Sequence, residues 1–482
     1  MNEYKAFVQR VGLVGITNIL ISLSGLIFIP IITKNFSVAD FGIWAQVNVT
    51  IALLPNLAIL GLPYTMVRFL SNESDKWKIK DSFYSMMSVV TATSAIISLI
   101  LVILKDPIAN ALFGGNINVL YIVAMISFFA SLNLMLINFF RTFQQIKRYS
   151  LFLVLQSYIG VALSSYLALT GHNIETVVLG YSIGYLAVFL IMGLIIVGYL
   201  GLSIPKFKNL KEELAFAIPI MPGNISSWVV DSSDKYVIGI FLSSAAVGFY
   251  SPSYALGSIL LMFLSPFALL LPAVLPKYFE EGNLEKVNTF LKYSMKYFLI
   301  ITVPAAVGLS ILSKSILMII TTPEIAINGY LITPFVCLGA IFMGMYGITN
   351  NILILEKKTK ILGKIWVLVG VLNLVFNMIT VPFMGIIGAA IVTLFCYFIA
   401  FAITVHYSKK SLELPFEYKS IAKIIISSAI MGIIVGIINP NGIMNVLLVV
   451  VVGIAIYFSI LFAIKGINKE EFGFFKAMLS ES

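Results

Sequence analysis

The basic residues of this chain lie almost entirely on one side of a long series of apolar segments. The chain contains fourteen segments of roughly 20 apolar residues, the length that crosses a bilayer, and threading them back and forth places 27 of the 31 Lys and Arg residues on one face. Lys34, Lys105 and Lys314 fall on the other face, and Lys235 lies inside a segment. Because basic residues near the ends of membrane helices are retained in the cytoplasm, the pattern predicts an all-α integral membrane protein with both termini in the cytoplasm.

The composition supports a membrane protein and argues against a soluble one. Hydrophobic residues make up 60% of the 482 residues and charged residues 11%, with a mean hydropathy of +1.02, which leaves too little polar surface to cover a soluble globule. The net charge of +10 is concentrated in short loops beside apolar segments, where it would face the anionic inner leaflet of the cell membrane. We therefore expect membrane lipid, and no nucleic acid, as the partner of these charges.

The chain repeats itself at an offset of 206 residues. An amide, a glycine and an aromatic position coincide at this offset: Asn18 with Asn224, Gly42 with Gly248, and Trp44 with Tyr250. An offset of six spans preserves orientation, so the copies are predicted to be parallel repeats, an arrangement that transporters use. The sequence thus predicts one six-helix bundle over residues 1-205, a second, pseudo-symmetric bundle over residues 206-410, and two further helices with a cytoplasmic tail over residues 411-482.

Ionisable residues are rare inside the predicted spans, and three of them occur together in the seventh span. Helical spacing places Asp231, Asp234 and Lys235 on one face, with Asp231 and Lys235 at positions i and i+4. One interpretation is an ion pair that neutralises itself, since an unpaired charge inside a membrane is costly. The other is that Asp231 or Asp234 binds a proton or cation, because desolvation disfavours the charged carboxylate, while Lys235 meets an anionic substrate.

The seventh span also has a break near its cytoplasmic end. Pro219 and Pro222 remove backbone donors there, and Asn224 follows them. An unwound segment at membrane depth is either packed in protein or lines a water-filled cavity. Asn18 occupies the equivalent place in the first span, so both amides are predicted to face a lumen. The alternative for each is a simple interhelical hydrogen bond.

Two arginines stand at the predicted inner ends of the second and fourth spans. Arg68 and Arg141 are both flanked by large apolar residues. A guanidinium group remains charged and donates two hydrogen bonds to phosphate oxygens, so both are predicted to bind an anionic head group. The alternative is ordinary snorkelling at the inner interface. Asn138 shares a helical face with Arg141 and extends this polar surface into the span.

Three stretches of the chain resemble one family of membrane transporters. They are Phe36-Ser-Val-Ala-Asp-Phe-Gly42; Asp234-Lys-Tyr-Val-Ile-Gly239 with Val247-Gly-Phe-Tyr250; and Asn373-Leu-Val-Phe-Asn377-Met-Ile-Thr-Val-Pro382-Phe-Met-Gly385-Ile-Ile-Gly388-Ala-Ala390. On these stretches the chain resembles the polysaccharide transporter family, the lipid-linked oligosaccharide flippases that include Wzx-type O-antigen translocases. That family shares a superfamily with MATE exporters and MurJ-like lipid II flippases.

The resemblance implies two six-helix bundles around a cationic central cavity that opens alternately to each side. The implied substrate is an oligosaccharide on a polyprenyl (di)phosphate, moved from the inner to the outer leaflet for cell-surface polysaccharide or glycan biosynthesis. A proton or sodium ion would drive the movement, and polymerases or glycosyltransferases are expected as protein partners. Such families carry Lys or Arg in the lumen, here Arg68, Arg141 and Lys235. Asn373 and Asn377 lie one helical turn apart and are predicted to add polar groups to the same lumen.

Other functions receive less support from the sequence. A MATE-like exporter of small molecules, coupled to protons or sodium, is the main alternative, but basic residues suit an anionic substrate better than an organic cation. An enzyme is not expected, because the chain lacks an acidic metal-binding motif and a phosphate-binding loop motif. His172 and His406 form no metal-ligand cluster. We therefore expect a transporter that needs no cofactor or metal.

Overall fold

The computed structural model describes residues 2–410, 412, 417–438 and 440–466, with side chains from residue 12 onward. The described residues contain α-helices and two short 3-10 helices, Ile218–Ile220 and Ile259–Leu264, and no β-strand. The α-helices are α1 (Asn2–Asn35), α2 (Val38–Ala58), α3 (Leu62–Leu70), α4 (Lys76–Ile103), α5 (Lys105–Leu112), α6 (Ile117–Thr142), α7 (Ile146–Leu169), α8 (Ile174–Leu200), α9 (Leu210–Ala217), α10 (Met221–Phe241), α11 (Ser244–Ser258), α12 (Ser265–Glu280), α13 (Leu284–Ile320), α14 (Pro323–Gly329), α15 (Ile332–Leu355), α16 (Thr359–Ser408), α17 (Tyr418–Ile438) and α18 (Ile443–Ala463).

Twelve helical stretches in the described residues are long and apolar enough to cross a membrane. The number differs from the predicted fourteen for two reasons. α16 is 50 residues long and joins the eleventh and twelfth predicted spans, which meet at Gly385, where φ is 62°. α10 is the seventh predicted span, and its charged residues Asp231, Asp234 and Lys235 make it less apolar than the others. Counting α16 as two spans and including α10 recovers the fourteen, and the all-helical, multi-pass membrane fold is confirmed.

The second predicted span is interrupted before its inner end. α2 ends at Ala58, and Leu60 and Gly61 follow with φ values of 50° and 76°. Left-handed residues of this kind end a helix. α3 starts after them with a proline in its first turn, so Arg68 stands on a separate short helix.

The helices pack into two compact units. The first comprises the chain up to Ser251 together with Trp366–Ala389, and the second comprises Pro252–Ile365 and the chain from Ala390 onward. Within the first unit, α6 packs against α2, α3, α4, α7 and α8, and α10 packs against α2. Within the second, α13 packs against α15, α17 and α18. The boundary between the units therefore does not fall at residue 205, and the predicted division by repeat stays a prediction.

Each unit has its own close-packed interior. In the first unit the rings of Phe83 and Phe139 meet edge to face, with centroids 5.1 Å apart. In the second, the ring of Phe298 lies directly on Gly344, where a Cβ atom would collide with it. Because lipid tails are as apolar as these side chains, close packing between helices is what stabilises the bundle.

Candidate functional site

Asp234 is a fully buried carboxylate on α10, in the first unit. The Tyr250 hydroxyl donates to its Oδ2 at 2.5 Å, and the backbone N–H of Lys235 donates to its Oδ1 at 2.7 Å. The Nζ atom of Lys235 lies 3.6 Å from the same Oδ1. Donors of this kind offset the cost of burying a carboxylate, so the fold holds Asp234 in place as an ionisable group.

Two neighbouring asparagines extend the polar groups from α10 to α16. Asn373 and Asn377 are fully buried, and Asn377 Nδ2 donates to Asn373 Oδ1 at 3.0 Å. The Ser233 hydroxyl donates to the same Oδ1 at 3.2 Å. Asn377 Oδ1 and Asn373 Nδ2 are buried and have no hydrogen-bond partner among the described residues. These six residues, Ser233, Asp234, Lys235, Tyr250, Asn373 and Asn377, are called the Asp234 cluster below.

The Lys235 end of the cluster is fixed to α2. Gln46 Nε2 donates to the carbonyl oxygen of Lys235 at 2.6 Å, and the Tyr236 hydroxyl donates to Thr50 Oγ1 at 2.8 Å. Gln46 approaches so closely because Gly239 has no side chain; a Cβ there would collide with the Gln46 amide. The backbone around Lys235 is therefore held by side chains from another helix.

Lys235 is the cluster's cation, and its side chain is 12% exposed. Its Nζ lies 5.8 Å from the centre of the Tyr250 ring, a cation–π distance. The described ion pair joins Lys235 to Asp234, whereas Asp231 is exposed on the same helix. Asp234 thus forms an ion pair with Lys235, and the predicted role of Asp231 stays a prediction.

The equivalent positions of the first half are apolar. An offset of 206 residues relates Asp234 to Phe28 and Tyr250 to Trp44, and the Phe28 and Trp44 rings pack with centroids 4.9 Å apart. The same two positions therefore carry an aromatic pair in one copy and a hydrogen-bonded Asp–Tyr pair in the other. Under the predicted repeat, the ionisable side chains of these positions belong to the second copy.

The two predicted phosphate-binding arginines stand apart from this cluster. Arg68 is exposed in the last turn of α3, and Arg141 is exposed in the last turn of α6. Among the described residues, no hydrogen bond or ion pair joins either of them to the Asp234 cluster. Their exposed guanidinium groups remain accessible to an anionic ligand.

The other predicted amides are also separate from the cluster. Asn138 is half-buried, and its Nδ2 donates to Leu134 O of its own helix at 2.8 Å. Asn18 is exposed on α1, and Asn224 is half-buried in the first turn of α10. The structure brings together Asp234, Lys235, Asn373 and Asn377 and leaves these three amides elsewhere.

Sequence reasoning missed Ser233 and Tyr250 as site residues. Both are buried members of the cluster, but neither is ionised in its ordinary state, so the search for charges inside spans passed over them. The predicted repeat contained one indication of Tyr250. At the offset of 206 residues, Tyr250 takes the place of Trp44, and it contacts Asp234 where Trp44 contacts Phe28.

The second unit contains an apolar cavity of about 400 Å³. Its lining includes residues of α13, α17 and α18: Pro304, Gly308, Met431, Val435, Gly453 and Tyr457. Ligand pockets of proteins have volumes of roughly 300–1,000 Å³. The hydroxyl of Tyr457 is already satisfied, because it donates to Ile300 O at 2.9 Å. The cavity therefore suits a hydrocarbon ligand better than a polar one.

Comparison with known proteins gives a family match over more than half of the chain. The model of a family described as polysaccharide biosynthesis protein matches residues 7–277. A probable low-salt glycan biosynthesis flippase of Haloferax volcanii is 22% identical over 277 residues, which cover 56% of this chain and 58% of that protein. The matched region therefore spans less than two thirds of that relative.

Solved structures extend the likeness to nearly the whole chain. The lipid II flippase MurJ in an inward closed conformation superposes with a TM-score of 0.74 at 17% identity, covering 93% of this chain and 98% of the other. An inward-facing multidrug resistance MATE family transporter of the MOP superfamily superposes with a TM-score of 0.62 at 16% identity, covering 81% of this chain and 93% of the other. At these identities the likeness establishes the fold. The resemblance predicted from three sequence stretches is confirmed.

Proposed function

This chain belongs to the polysaccharide biosynthesis protein family, and we propose that it moves a polyprenyl-(di)phosphate-linked oligosaccharide from the inner to the outer leaflet of the cell membrane. The observation that carries the proposal is the family match over residues 7–277. The fold shared with a lipid II flippase supports it, as does the glycan biosynthesis role in the name of the Haloferax volcanii relative. We assign both termini to the cytoplasm from the distribution of basic residues.

The phosphate of the substrate would be bound by exposed or partly exposed cations. Arg68 and Arg141 offer guanidinium forks, which bind phosphate oxygens through two hydrogen bonds. Lys235 is less exposed, and its charge is balanced by Asp234. We therefore assign first contact with the head group to the two arginines, and a later contact, inside the bundle, to Lys235.

The lipid part of the substrate requires an apolar surface at membrane depth. The cavity of about 400 Å³ in the second unit offers one, lined by α13, α17 and α18. Two of these helices, α17 and α18, lie in residues 411-482, outside the predicted repeat. We propose that they were added to the two bundles to bind a hydrocarbon chain.

The Asp234 cluster is our proposed ion-coupling site. Asp234 supplies a buried carboxylate, and Asn377 supplies an amide oxygen without a partner among the described residues. Hard cations prefer carboxylate and amide oxygens. Uptake of a proton or sodium ion would neutralise Asp234, weaken its hold on Lys235 and leave that cation to meet a phosphate. Asp231 stays a candidate for the same role on the exposed side of α10.

The proposal is tested by the lipid-linked glycan that accumulates when the gene is removed. We expect the lipid-linked oligosaccharide to build up on the inner leaflet, since synthesis continues and translocation stops. When the gene is put back as the Arg68→Ala or the Arg141→Ala variant, part of the lipid-linked oligosaccharide should still accumulate. Arg141→Lys should export more than Arg141→Ala, because lysine keeps the positive charge although it lacks the guanidinium fork. Arg148→Ala is the matched control, since Arg148 already donates to Gln145 Oε1 at 2.9 Å. An unchanged lipid-linked pool would instead favour a MATE-like exporter of small molecules.

A further inference from the structure

Glu213 is a buried acidic residue that the proposed transport cycle does not use. It lies on α9, ahead of the seventh span, with 1% of its surface exposed, whereas its neighbour Glu212 is exposed. The Ser82 hydroxyl of α4 hydrogen-bonds to the Glu213 carboxyl. The Oε2 atom is buried and has no hydrogen-bond partner among the described residues. A carboxylate in this position lacks most of the donors that ionisation requires.

The charges around Glu213 also oppose its ionisation. α9 packs against α3 and α4. The ionisable residues of these two helices are Tyr64, Arg68, Lys76, Lys78, Lys80, Asp81 and Tyr84. Tyr64 and Arg68 are exposed, and Lys80 Nζ lies over the Trp77 ring at 5.6 Å. The charges that act on Glu213 are those of Asp81 and Glu212, both negative. Burial, together with these charges, raises the pKa of the Glu213 carboxyl above its ordinary value despite the Ser82 hydrogen bond.

The helix that carries Glu213 is attached by three close contacts to α3 and to Gly61, the residue before it. Thr65 Oγ1 donates to the carbonyl oxygen of Glu213 itself at 3.2 Å. Gly61 lets Ala217 approach, since a Cβ at Gly61 would lie 2.6 Å from the Ala217 carbonyl oxygen. The rings of Phe69 and Phe216 meet edge to face with centroids 5.8 Å apart. Movement of Glu213 toward water would therefore break contacts between α9 and α3.

The connection between α9 and α10 can act as a pivot. The 3-10 helix Ile218–Ile220 separates them, and Pro219 and Pro222 contribute no backbone donor. A 3-10 stretch between two α-helices is a common position for a hinge. α9 can therefore change its angle to α10 at a small cost in main-chain hydrogen bonds.

We propose that Glu213 is a proton-operated latch that holds α9 against α3 and α4 when protonated and releases it when ionised. The neutral carboxyl fits the buried site, because it carries no charge to desolvate, whereas the anion would leave the charged Oε2 atom buried without a donor. The docked state has the higher proton affinity, so docking is fully stabilised at low pH and is lost as the pH rises through the value at which docked Glu213 ionises. Because α3 carries Arg68, the latch would also set the position of that arginine, a consequence that rests on the proposed function.

Cross-linking between α3 and α9 tests the latch without any transport substrate. Phe69→Cys and Phe216→Cys place two thiols at exposed positions on the facing helices, in the full chain reconstituted in vesicles. With a short bismaleimide, we expect the cross-linked fraction to fall several-fold from mildly acidic to mildly alkaline pH. The Glu213→Gln background should keep the low-pH fraction throughout, which also corrects for the pH dependence of thiol reactivity. Glu212→Gln is the matched control and should follow the native chain.

A second variant keeps the test decisive if Glu213→Gln does not insert. Ser82→Ala removes the hydrogen bond that favours the Glu213 anion, so the midpoint of release should move to higher pH. A native chain that cross-links equally at every pH would overturn the latch, as would a midpoint that Ser82→Ala leaves in place. Neither result would bear on whether the chain moves a lipid-linked glycan, because no substrate is present.

Discussion

Gly42 and Gly248 lie in contact where α2 crosses α11, and each permits the other's helix to approach. A Cβ atom on Gly42 would collide with the carbonyl oxygen of Ser244, and one on Gly248 would collide with that of Val38. The offset of 206 residues relates position 38 to position 244, and position 42 to position 248. The two contacts are thus exchanged by this offset, as they would be in two-fold related copies. The parallel repeat itself stays a prediction.

Gly42→Ala and Gly248→Ala should each destabilise the protein. Overpacking of a close contact costs roughly 1–3 kcal/mol, and here the obstacle is backbone, which cannot rotate away. Thermal unfolding in detergent measures the loss. Gly25→Ala is the control, because a Cβ there meets nothing within 4 Å and alanine favours a helix. If Gly42→Ala unfolds at the same temperature as Gly25→Ala, the close crossing of α2 and α11 is wrong.

Tyr250→Phe should cost more stability than Tyr236→Phe. The Tyr250 hydroxyl donates a hydrogen bond to a buried carboxylate, and such a bond contributes about 1.5–3 kcal/mol. The Tyr236 hydroxyl donates to the neutral Thr50 hydroxyl, and a neutral hydrogen bond contributes about 0.5–1.5 kcal/mol. Both variants remove one oxygen from a tyrosine bonded within the same unit, so they are closely matched. The loss from Tyr250→Phe should shrink in an Asp234→Asn background. Equal losses in both backgrounds would indicate that Asp234 is already neutral and weakly held.

Double-mutant cycles should show that Lys235 couples to Asp234 more strongly than to Asp231. Asp234 is buried and Asp231 is exposed, and charge interactions are stronger where water is excluded. We expect Asp234→Asn with Lys235→Met to be less harmful together than the two single losses added, since each single change leaves one charge uncompensated. Thermal unfolding of the four chains in each cycle gives the coupling. Strict additivity for both acids would mean that neither pairs with Lys235 in the membrane.

Glu417 should make the second unit sensitive to acid. Partial burial disfavours its anion, but hydrogen bonds from Lys292 and Ser420 and the charges of Lys296 and Lys292 outweigh burial and lower the pKa to about 2. Because the pKa is lower in the folded state, the stabilisation is fully present above the usual value of 4.5 and disappears as the pH falls through about 2. The stability difference between the native chain and Glu417→Gln should therefore shrink below pH 4.5. Glu281→Gln, at an exposed position, should show little difference at any pH.

Much of the fold could be predicted from the sequence because the bilayer fixes the length of each span. Fourteen apolar segments correspond to helices, including α10, whose charges conceal it from a hydropathy criterion. The end of α2 could not be predicted, because Leu60 adopts a left-handed conformation that is uncommon for residues other than glycine. The grouping of helices into two units also depends on tertiary contacts that no local pattern records.

The sequence indicated those residues of the candidate site that are charged or carry an amide inside a span. Asp234 and Lys235 stood out as ionisable groups inside a span, and Asn373 and Asn377 stood out as amides one turn apart; the structure places all four in one cluster. Glu213 was not predicted, because a glutamate beside Lys211 and Glu212 looks like part of a solvated loop. Only packing against α3 and α4 shows that it is buried.

Ion-coupled flipping by the purified chain tests the central claim most directly. The assay follows translocation of a polyprenyl diphosphate oligosaccharide in proteoliposomes under imposed pH, sodium or voltage gradients, for the native chain, Asp234→Asn and Asp231→Asn. We predict that a proton or sodium gradient accelerates the native chain, and that Asp234→Asn loses this acceleration while still binding the lipid-linked substrate. A native chain that does not translocate the lipid would contradict the flippase assignment. Translocation that no gradient alters, or that Asp234→Asn leaves equally coupled, would contradict the role given to the Asp234 cluster.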